Sequence, residues 1–279
     1  MSAVLLPNAL NHLSAVKLRS DEWTAVIPAA GKGSRLGYSR PKALFPVLGR
    51  PLIDWVLEPI SRYCAQAVVI VSPEDEHSIR EALGDKRGNL PIDFQLQHES
   101  KGTADAVWCS RPSVRTPHTL VIWADQISVQ PQTLELCMKA HLARPGAELT
   151  FPTAMREKPY ISLVRDNSGR ILAVEQARES RISTSSGESD CGLFLFATAR
   201  LFEELERAAL DEKRRGAATG ELNLLSLIPE FDKQPGACAC VRVSSPDETR
   251  GVNTAEEARH LETLLGESAC QSTKTQKTK

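Results

Sequence analysis

The sequence has 279 residues, of which 41% are hydrophobic and 25% charged, and its formal net charge is −1. These values are ordinary for a globular protein, and the chain is long enough for one substantial α/β core with or without a small insert. The near-neutral charge argues against a general nucleic-acid or anionic-membrane surface. We therefore expect no nucleic-acid or membrane partner, and only local positive charge at a ligand site.

The N-terminal residues and the cysteines bear on where the protein acts. No apolar run approaches the roughly 20 residues of a membrane-spanning helix, and the polar residues Asn8, Asn11 and His12 interrupt any signal-peptide core. The seven cysteines form an odd set without paired C-x-x-C spacing, which favours free thiols. The sequence therefore predicts a cytoplasmic protein that folds without disulfides.

Alternating strands and helices occupy the chain between two flanking segments. Residues 1–22 form an N-terminal extension, residues 23–266 the main domain, and residues 267–279 a polar tail that we expect to be disordered. Strands are predicted at 24–29, 67–72, 93–97, 119–124, 147–154, 160–165, 171–176, 191–197 and 238–243. Helices are predicted at 52–62, 74–83, 103–110, 131–143, 199–210, 222–230 and 255–265.

This order of elements predicts an α/β fold. Strands separated by helices favour a doubly wound, mostly parallel sheet covered on both faces, with a hairpin-like part around Asn167-Ser168-Gly169 inserted later. Ser72 is expected to cap a helix whose first residue is a proline, and Thr254 and Glu257 form a capping box. Pro59 should kink or end the helix that begins at residue 52.

Residues 23–47 join an apolar strand to a glycine-rich loop with separated cations. The loop and its flank contain Gly31, Gly33, Gly37, Arg35 and Lys42. Glycines let backbone N–H groups approach phosphate oxygens, and the cations supply the charge that a triphosphate requires. A Walker loop is excluded because Lys32 is followed by Gly33, and the dinucleotide fingerprint fails because Leu36 replaces its third glycine. A flexible basic surface loop is the alternative on this segment alone.

The same segment resembles the signature of the sugar-1-phosphate nucleotidyltransferases, the NDP-sugar pyrophosphorylases. That signature reads roughly L-A-A-G-x-G-[ST]-R-[LM] followed by P-K-x-L, and here it stands as PAAGKGSRL at residues 28–36 and PKAL at residues 41–44. The resemblance extends from about Trp23 to about Leu265 and is closest to the uridylyltransferase domain of the bifunctional enzymes that act on N-acetylglucosamine 1-phosphate. We find no hexapeptide repeat of the kind that forms the second, β-helical domain of those enzymes.

The resemblance implies a Rossmann-like nucleotidyltransferase fold in which Arg35 stabilises pyrophosphate and Lys42 contacts the α-phosphate and the attacking phosphate. The glycine-loop residues that it assigns to the nucleotide are Ala29, Ala30, Gly31, Gly33 and Ser34. It also implies that the segment from Gln97 through Gly102 and Thr103 binds the base, for which a glutamine amide offers both a donor and an acceptor. Uridine is favoured, although relatives use the same pair to bind thymine.

Two separated residues are candidates for a Mg²⁺ site. Asp125 ends an apolar strand, and a carboxylate there suits magnesium, which prefers oxygen donors and few protein ligands. Asn253 follows Gly251-Val252, which matches the G-V-N context of the second ligand in the family. Without the family resemblance, Asp125 could equally be a cap or turn residue, and Asn253 would be interpreted as a turn asparagine. The resemblance makes both of them metal ligands.

For the acceptor, the resemblance assigns Glu175 to the family's V-E segment and Asp190 to the place of the asparagine in N-T-G. The family's G-Y-G-R has become Pro159-Tyr160-Ile161-Ser162, and its G-E-Y-Y-[LI]-T-D has become residues 220–226, GELNLLS. An inserted β-hairpin region would hold this acceptor. The changes leave the nucleotide half intact and alter the half that selects the sugar.

The sequence therefore predicts a Mg²⁺-dependent nucleotidyltransferase that joins a nucleoside triphosphate, with UTP favoured, to a sugar 1-phosphate and releases pyrophosphate. One alternative is a cytidylyl- or guanylyltransferase that acts on a cyclitol phosphate, a phosphonate or another specialised phosphorylated acceptor. A lesser alternative is a non-catalytic nucleotide-sugar sensor. The oligomeric state, including a homo-oligomer, is left open.

Overall fold

The computed structural model describes residues 3–5, 13–31, 33–179, 182 and 184–276, and side chains for all of these except 3–5, 34 and 268–276. The strands are β1 (Ala3–Leu5), β2 (Trp23–Pro28), β3 (Pro46–Val47), β4 (Arg50–Pro51), β5 (Gln66–Val71), β6 (Lys86–Arg87), β7 (Leu90–Leu96), β8 (His118–Ile122), β9 (Leu149–Glu157), β10 (Ile161–Arg165), β11 (Ile171–Gln176), β12 (Ser186–Asp190), β13 (Leu193–Ala197) and β14 (Cys238–Arg242). The α-helices are α1 (Leu52–Ile60), α2 (Glu76–Leu83), α3 (Thr103–Cys109), α4 (Pro131–Leu142), α5 (Thr198–Ala209), α6 (Ile228–Phe231) and α7 (Ala255–Gln276).

A ten-stranded mixed sheet forms the centre of the fold, in the order β1-β14-β9-β13-β8-β2-β5-β7-β6, with β12 paired to β9 outside this path. The pairs among β8, β2, β5 and β7 are parallel, so the carboxyl ends of these strands lie at one edge of the sheet. Strand β13 lies antiparallel between β8 and β9. The predicted α/β fold with a mostly parallel sheet is confirmed.

Helices cover both faces of this sheet because successive strand residues point to opposite sides. On β2 and β5, Val26 and Val68 pack in one hydrophobic cluster, whereas Ala25 and Val69 pack in the other. The first cluster includes residues of α3, α5 and α6, and the second includes residues of α1, α2, α4 and α7. This is the predicted doubly wound arrangement.

The predicted hairpin insert is also present, as an antiparallel two-stranded sheet of β10 and β11. Strand β12, which the sequence analysis missed, pairs antiparallel with the outer half of β9. Its sequence, SGESD, has no β-branched or aromatic residue and therefore carries no strand signal. Within the N-terminal extension, β1 pairs parallel with β14.

Several helix boundaries differ from the predictions. Ser72 accepts a hydrogen bond from the Asp75 N–H at 3.2 Å, but α2 begins only at Glu76, so the proline after Ser72 is not the first helical residue. The capping box is confirmed, because Thr254 Oγ1 accepts from Glu257 N and Glu257 Oε2 accepts from Thr254 N. As predicted, the helix that contains Pro59 ends one residue later.

The helix predicted at 222–230 is instead a 3₁₀ turn at Leu224–Leu227 followed by the four-residue α6. Leu222, where this helix was expected to begin, instead forms backbone hydrogen bonds with Lys101 and Ala104. Helix α7 continues to Gln276, so the expected disorder does not describe residues 267–276, while residues 277–279 lie outside the described chain. Among the described residues, no helix combines the length and apolar character needed to cross a bilayer.

Candidate active site

A cavity of about 800 Å³ opens where β2, β7 and β8 end. Its wall includes Pro28 at the end of β2, Gln97 just after β7 and Asp125 just after β8. In α/β sheets, ligands bind beyond the carboxyl ends of the strands. The site predicted from the sequence therefore coincides with a large cavity at the expected edge of the sheet.

The glycine loop forms one wall of this cavity with Ala29, Ala30, Gly31 and Gly33. The backbone N–H groups of Ala30, Gly31 and Gly33 make no hydrogen bond within the described residues. Gly33 has φ +57°, and a Cβ there would lie 2.7 Å from Lys42 Cβ. Glycine is thus required at residue 33 both by the backbone conformation and by the close passage of Lys42.

The short 3₁₀ helix Ser34–Leu36 follows this loop and carries Arg35 to the cavity. The side chain of Ser34 lies outside the described residues. A second 3₁₀ helix, Lys42–Leu44, carries Lys42 to the same wall. The two predicted catalytic cations therefore come from neighbouring short helices of one segment.

Four predicted residues meet at the centre of the cavity. The Lys42 ammonium is paired with the Asp125 carboxylate and donates to Asn253 Oδ1 at 2.9 Å. Arg35 Nη2 also donates to Asn253 Oδ1, at 3.4 Å. Residues far apart in sequence thus place two cations, one carboxylate and one amide oxygen around a single point.

The backbone holds Asp125 and Asn253 together. The Val252 N–H donates to the Asp125 carbonyl oxygen at 3.1 Å, and Glu257 Oε2 accepts from the Asn253 N–H at 2.8 Å. A Cβ on Gly251 would lie 3.2 Å from Asp125 Oδ1, so this glycine allows the two segments to approach closely. The capping box therefore fixes the backbone on which the Asn253 side chain stands.

The sequence analysis missed Gln126, which also supports this arrangement. Its buried amide donates to the carbonyl oxygens of Glu248 and Arg250, at 2.8 and 3.1 Å. These hydrogen bonds hold the segment before Asn253 against the end of β8. No motif marks such a residue, because its role depends on a partner segment more than 100 residues away.

Asp125 and Asn253 fit a divalent metal. Both direct an oxygen at the Lys42 ammonium, so their donors converge on a position already suited to a cation. Magnesium takes one or two protein oxygens and completes its octahedron with water and substrate phosphates. Within the described residues no three or more His, Cys, Asp or Glu side chains form a metal cage, so a metal at this point would need such additional ligands.

The predicted base-binding segment offers fewer free hydrogen-bonding groups than the sequence indicated. Gln97 is buried, and its Nε2 donates to the Gly102 carbonyl oxygen at 3.0 Å and to Asp105 Oδ2 at 2.8 Å. Its Oε1 makes no hydrogen bond within the described residues. The amide donor is thus committed to the protein, and only the acceptor is available to a ligand.

Gly102 and Thr103 join this segment to residues 222–224. Gly102 has φ +112°, and any Cβ there would collide with the Leu222 carbonyl oxygen. The Thr103 hydroxyl accepts from the Leu224 N–H at 2.9 Å. Both residues line the cavity, so the predicted nucleotide segment directly contacts one of the segments that departs from the family pattern.

At the acceptor end, Asp190 lines the cavity and Glu175 does not. The neighbouring Gln176 is buried and faces the cavity in place of Glu175. Adjacent strand residues point to opposite faces, so only one of this pair can face the cavity. The assignment of Glu175 to the acceptor stays a prediction.

Asp190 is buried beside the cavity. Its Oδ2 accepts from the Gly192 N–H at 2.8 Å, and its Oδ1 has no hydrogen-bond partner within the described residues. Burial raises the pKa of Asp190 to about 6, although the Gly192 hydrogen bond acts in the opposite direction. A carboxyl with one unsatisfied oxygen can accept a hydroxyl hydrogen bond or carry a proton.

The two altered segments lie on the same wall. Pro159, Tyr160 and Ile161 line the cavity, as do Glu221 and Asn223. Glu179 supports the second of these segments by accepting from Thr219 Oγ1 at 2.6 Å and from Asn223 Nδ2 at 3.3 Å. The departures from the family pattern are therefore concentrated around one part of the cavity. That part also contains Arg156 and Lys158, which the sequence analysis did not identify.

Comparison with known proteins gives one family and several relatives. Residues 25–223 match the family described as MobA-like NTP transferase domain. The chain is 32% identical over 246 residues to the bifunctional protein GlmU of Pelobacter propionicus, covering 86% of this chain and 52% of that protein. It is 29% identical over 237 residues to that of Geobacter metallireducens (83% and 48%), and 30% over 246 residues to that of Bacillus cytotoxicus (86% and 51%). The chain spans about half the length of the curated relatives it matches.

Proposed function

Because the chain belongs to the family of MobA-like NTP transferase domains and is therefore a nucleotidyltransferase, we propose that it joins a nucleoside triphosphate to a sugar 1-phosphate. The family predicted from residues 23–47 is confirmed by this match. The observation that carries the proposal for the reacting centre is the convergence of Lys42, Asp125, Asn253 and Arg35 on one point of the cavity. We place the reaction in the cytoplasm, where nucleoside triphosphates are made.

In the proposed reaction, a phosphate oxygen of the acceptor attacks the α-phosphorus, and the bond to the bridging oxygen of the β-phosphate breaks. Pyrophosphate leaves with that electron pair. No general base is needed because the attacking phosphate is already ionised. Catalysis then depends on holding two anions in line and on stabilising the charge that develops on them.

Each residue of the cluster has a distinct task in this proposal. Lys42 contacts the α-phosphate and the attacking phosphate, and Arg35 stabilises the departing pyrophosphate. The free N–H groups of Ala30, Gly31 and Gly33 bind phosphate oxygens. Asp125 and Asn253 would hold Mg²⁺, which when bound neutralises phosphate charge and orients the triphosphate.

The hydrogen bonds of Gln97 support UTP as the donor. The free Oε1 is an acceptor. Uracil and thymine present an N–H at position 3, whereas cytosine presents an unprotonated nitrogen there and can donate only from its exocyclic amine. Guanine also presents a ring N–H but is a purine of larger size. A pyrimidine with a ring N–H therefore matches the group that the protein leaves available.

The altered acceptor wall favours a second candidate with the same chemistry. Ile161 stands where the family has glycine, and the aromatic residues of the other family segment are replaced by Leu222 and Asn223. Both altered segments face the cavity. A cyclitol phosphate, a phosphonate or another specialised phosphorylated acceptor is therefore the runner-up, with cytidylyl or guanylyl transfer included. A non-catalytic sensor is less favoured because it has no need for the assembled cluster.

A screen of four nucleoside triphosphates against a panel of phosphorylated acceptors, monitored by pyrophosphate release with and without Mg²⁺, tests the proposal. Lys42→Met and Asp125→Asn should each lower the rate by roughly 10²-fold or more, because each removes an electrostatic stabiliser. Lys86→Met, which alters an exposed lysine away from the cavity, is the matched control. Cluster variants with near wild-type rates would exclude the proposed mechanism. Tight triphosphate binding without turnover on any acceptor would favour the sensor.

A further inference from the structure

The outer part of β9 extends beyond its pairing with β14 and forms a wall of the cavity. Strand β9 pairs with β14 as far as Thr153, and beyond that residue its described pairing is with β12 alone. This two-stranded arm carries Arg156 and, one residue past its end, Lys158, and both line the cavity. The intervening Glu157 does not line it, which agrees with the alternation of side chains along a strand.

Arg156, like Arg35 and Lys158, is a cation of the cavity for which the described residues provide no acidic partner. Lys42 is paired with Asp125, and Arg178 is paired with Glu221. Within the described residues, no carboxylate lies within 4.0 Å of the Arg156 guanidinium. Its hydrogen bonds there are two weak ones to Thr249, both at 3.5 Å.

The surroundings of Arg156 make this charge costly for the folded protein. Burial lowers its pKa from the ordinary value, the charge of Arg250 lowers it further, and the opposing effects of Glu257 and Asp247 do not compensate. A guanidinium has five N–H donors in a planar fork that matches a carboxylate or phosphate. The Arg156 guanidinium is half-buried and makes only weak hydrogen bonds, so it has the chemistry of an anion-binding group.

The location of Arg156 assigns its ligand to the acceptor rather than to the triphosphate. The glycine loop, Arg35 and Lys42 come from the segment after β2 and supply the predicted phosphate cradle. Arg156 comes from a different segment, the arm whose other strand ends at Asp190. Its partner Thr249 lies four residues before Asn253, which connects this wall to the reacting centre.

We propose that Arg156, assisted by Lys158, forms an anion subsite that binds a phosphate or carboxylate group of the acceptor. This inference rests on the proposed function. Two sources share the required chemistry: the phosphate that attacks the nucleotide, or an additional acid group elsewhere on the acceptor. In either case, acceptor selection depends on a positive charge that the family motifs do not contain.

The first test measures the subsite without turnover. Inorganic phosphate is titrated by calorimetry into the protein saturated with Mg²⁺ and α,β-methylene UTP, so that the nucleotide cradle is filled. Arg156→Gln should weaken phosphate binding about 10-fold or more, the usual effect of losing a charge-assisted hydrogen bond, and leave the affinity for the analogue unchanged. Arg250→Gln is the matched control, because that neighbouring guanidinium is paired with Asp247 and does not line the cavity.

The analogue affinity also reports whether each variant is folded. If Arg156→Gln fails to fold, Arg156→Lys retains the charge, loses the planar fork and should show a smaller loss of phosphate affinity. The subsite is refuted if wild type shows no saturable phosphate binding, if Arg156→Gln binds phosphate like wild type, or if Arg250→Gln loses affinity to the same extent.

The second test separates the two sources. Pyrophosphate release is measured with a hexose 1-phosphate and with the corresponding hexuronic acid 1-phosphate. Equal increases in KM for both acceptors in Arg156→Gln assign the residue to the attacking phosphate, whereas an increase for the uronic acid alone assigns it to an additional acid group. An unchanged KM for both overturns the inference. If no acceptor supports release, the proposed function fails, and the phosphate titration still decides whether the subsite exists.

Discussion

Replacement of Asp190 by Asn should stabilise the protein at neutral pH and have a much smaller effect near pH 4. Asp190 is buried, and one of its oxygens has no partner within the described residues. Ionisation of this carboxyl is therefore unfavourable in the folded state, and burial raises its pKa from 3.8 to about 6. Asparagine has nearly the same shape and never becomes charged.

The raised pKa fixes the sign and the size of the effect. Between pH 3.8 and about 6 the folded state retains a proton that the unfolded state releases, so stability falls as the pH rises through this range. At 1.36 kcal/mol per pKa unit, the loss is about 3 kcal/mol once the pH exceeds 6. Asp190→Asn should recover this amount at pH 7.5 and less than about 1 kcal/mol at pH 4.

Urea unfolding of wild type and Asp190→Asn at pH 4, 5, 6 and 7.5 measures the difference directly. The new amide group can change the stability of the variant by an amount that is the same at every pH. Such a change does not affect the test, which uses only how the difference in unfolding free energy between variant and wild type varies with pH. Glu206→Gln, which removes an exposed carboxylate, is the control and should stay within about 0.5 kcal/mol of wild type. A difference between Asp190→Asn and wild type that does not vary with pH would refute the assignment of a raised pKa.

Three further variants test features of the fold and site. Gly102→Ala places a side chain in a backbone conformation reserved for glycine and against the Leu222 carbonyl oxygen, so it should cost at least about 1–3 kcal/mol of unfolding free energy and raise the KM for the triphosphate. Burial lowers the pKa of His141 to about 3, so wild type should lose up to about 5 kcal/mol between pH 6.5 and 3, and His141→Phe should lose less over that range in urea unfolding. Glu188→Gln removes the carboxylate that is paired with the guanidinium of Arg165 and should cost about 3–5 kcal/mol, measured in the same way.

Each of these variants has a matched control in the chain. Gly146 also has a positive φ, but no atom lies near the position of an added Cβ. Gly146→Ala should therefore show the effect of backbone strain without a steric collision. His77→Phe changes an exposed histidine, and Glu157→Gln changes an exposed glutamate on β9. Equal effects in a variant and its control would mean that the contact named for that variant is not the cause.

The sequence was most informative where chemistry and periodicity coincide. The apolar runs that end at Pro28 and Ile122 identified two central strands, and the parallel pairing of β2 with β8 brings the residues after them to one edge. Asp125 and Lys42 could therefore be expected to meet. The resemblance added Asn253, which no periodicity marks.

The acceptor end was harder to predict because its residues lie on strands without a hydrophobic signal. Strand β12 is polar throughout, and the register of β11 decides whether Glu175 or Gln176 faces the cavity. A displacement of one residue moves a side chain to the opposite face, and sequence spacing alone cannot fix it. Arg156 was missed for a related reason, since its significance depends on the absence of a nearby carboxylate among the described residues.

Gln97 shows a different limit of sequence reasoning. The amide was expected to offer a donor and an acceptor to the base, and the structure commits the donor to Gly102 and Asp105. Which hydrogen-bonding atoms remain available depends on the surrounding folded chain. The resemblance predicted the base-binding segment, and residue type could not show which hydrogen-bonding atom of Gln97 remains available.

The continuity of β9 has a consequence for how such a protein can change during evolution. The inner half of the strand is buried between neighbouring strands, and the outer half presents individual side chains to the acceptor cavity. A strand anchored in this way keeps its backbone when one outward side chain is exchanged. If the arm selects the acceptor as proposed, new preferences can arise by single substitutions on it, without insertions and without any change to the residues proposed to bind the triphosphate.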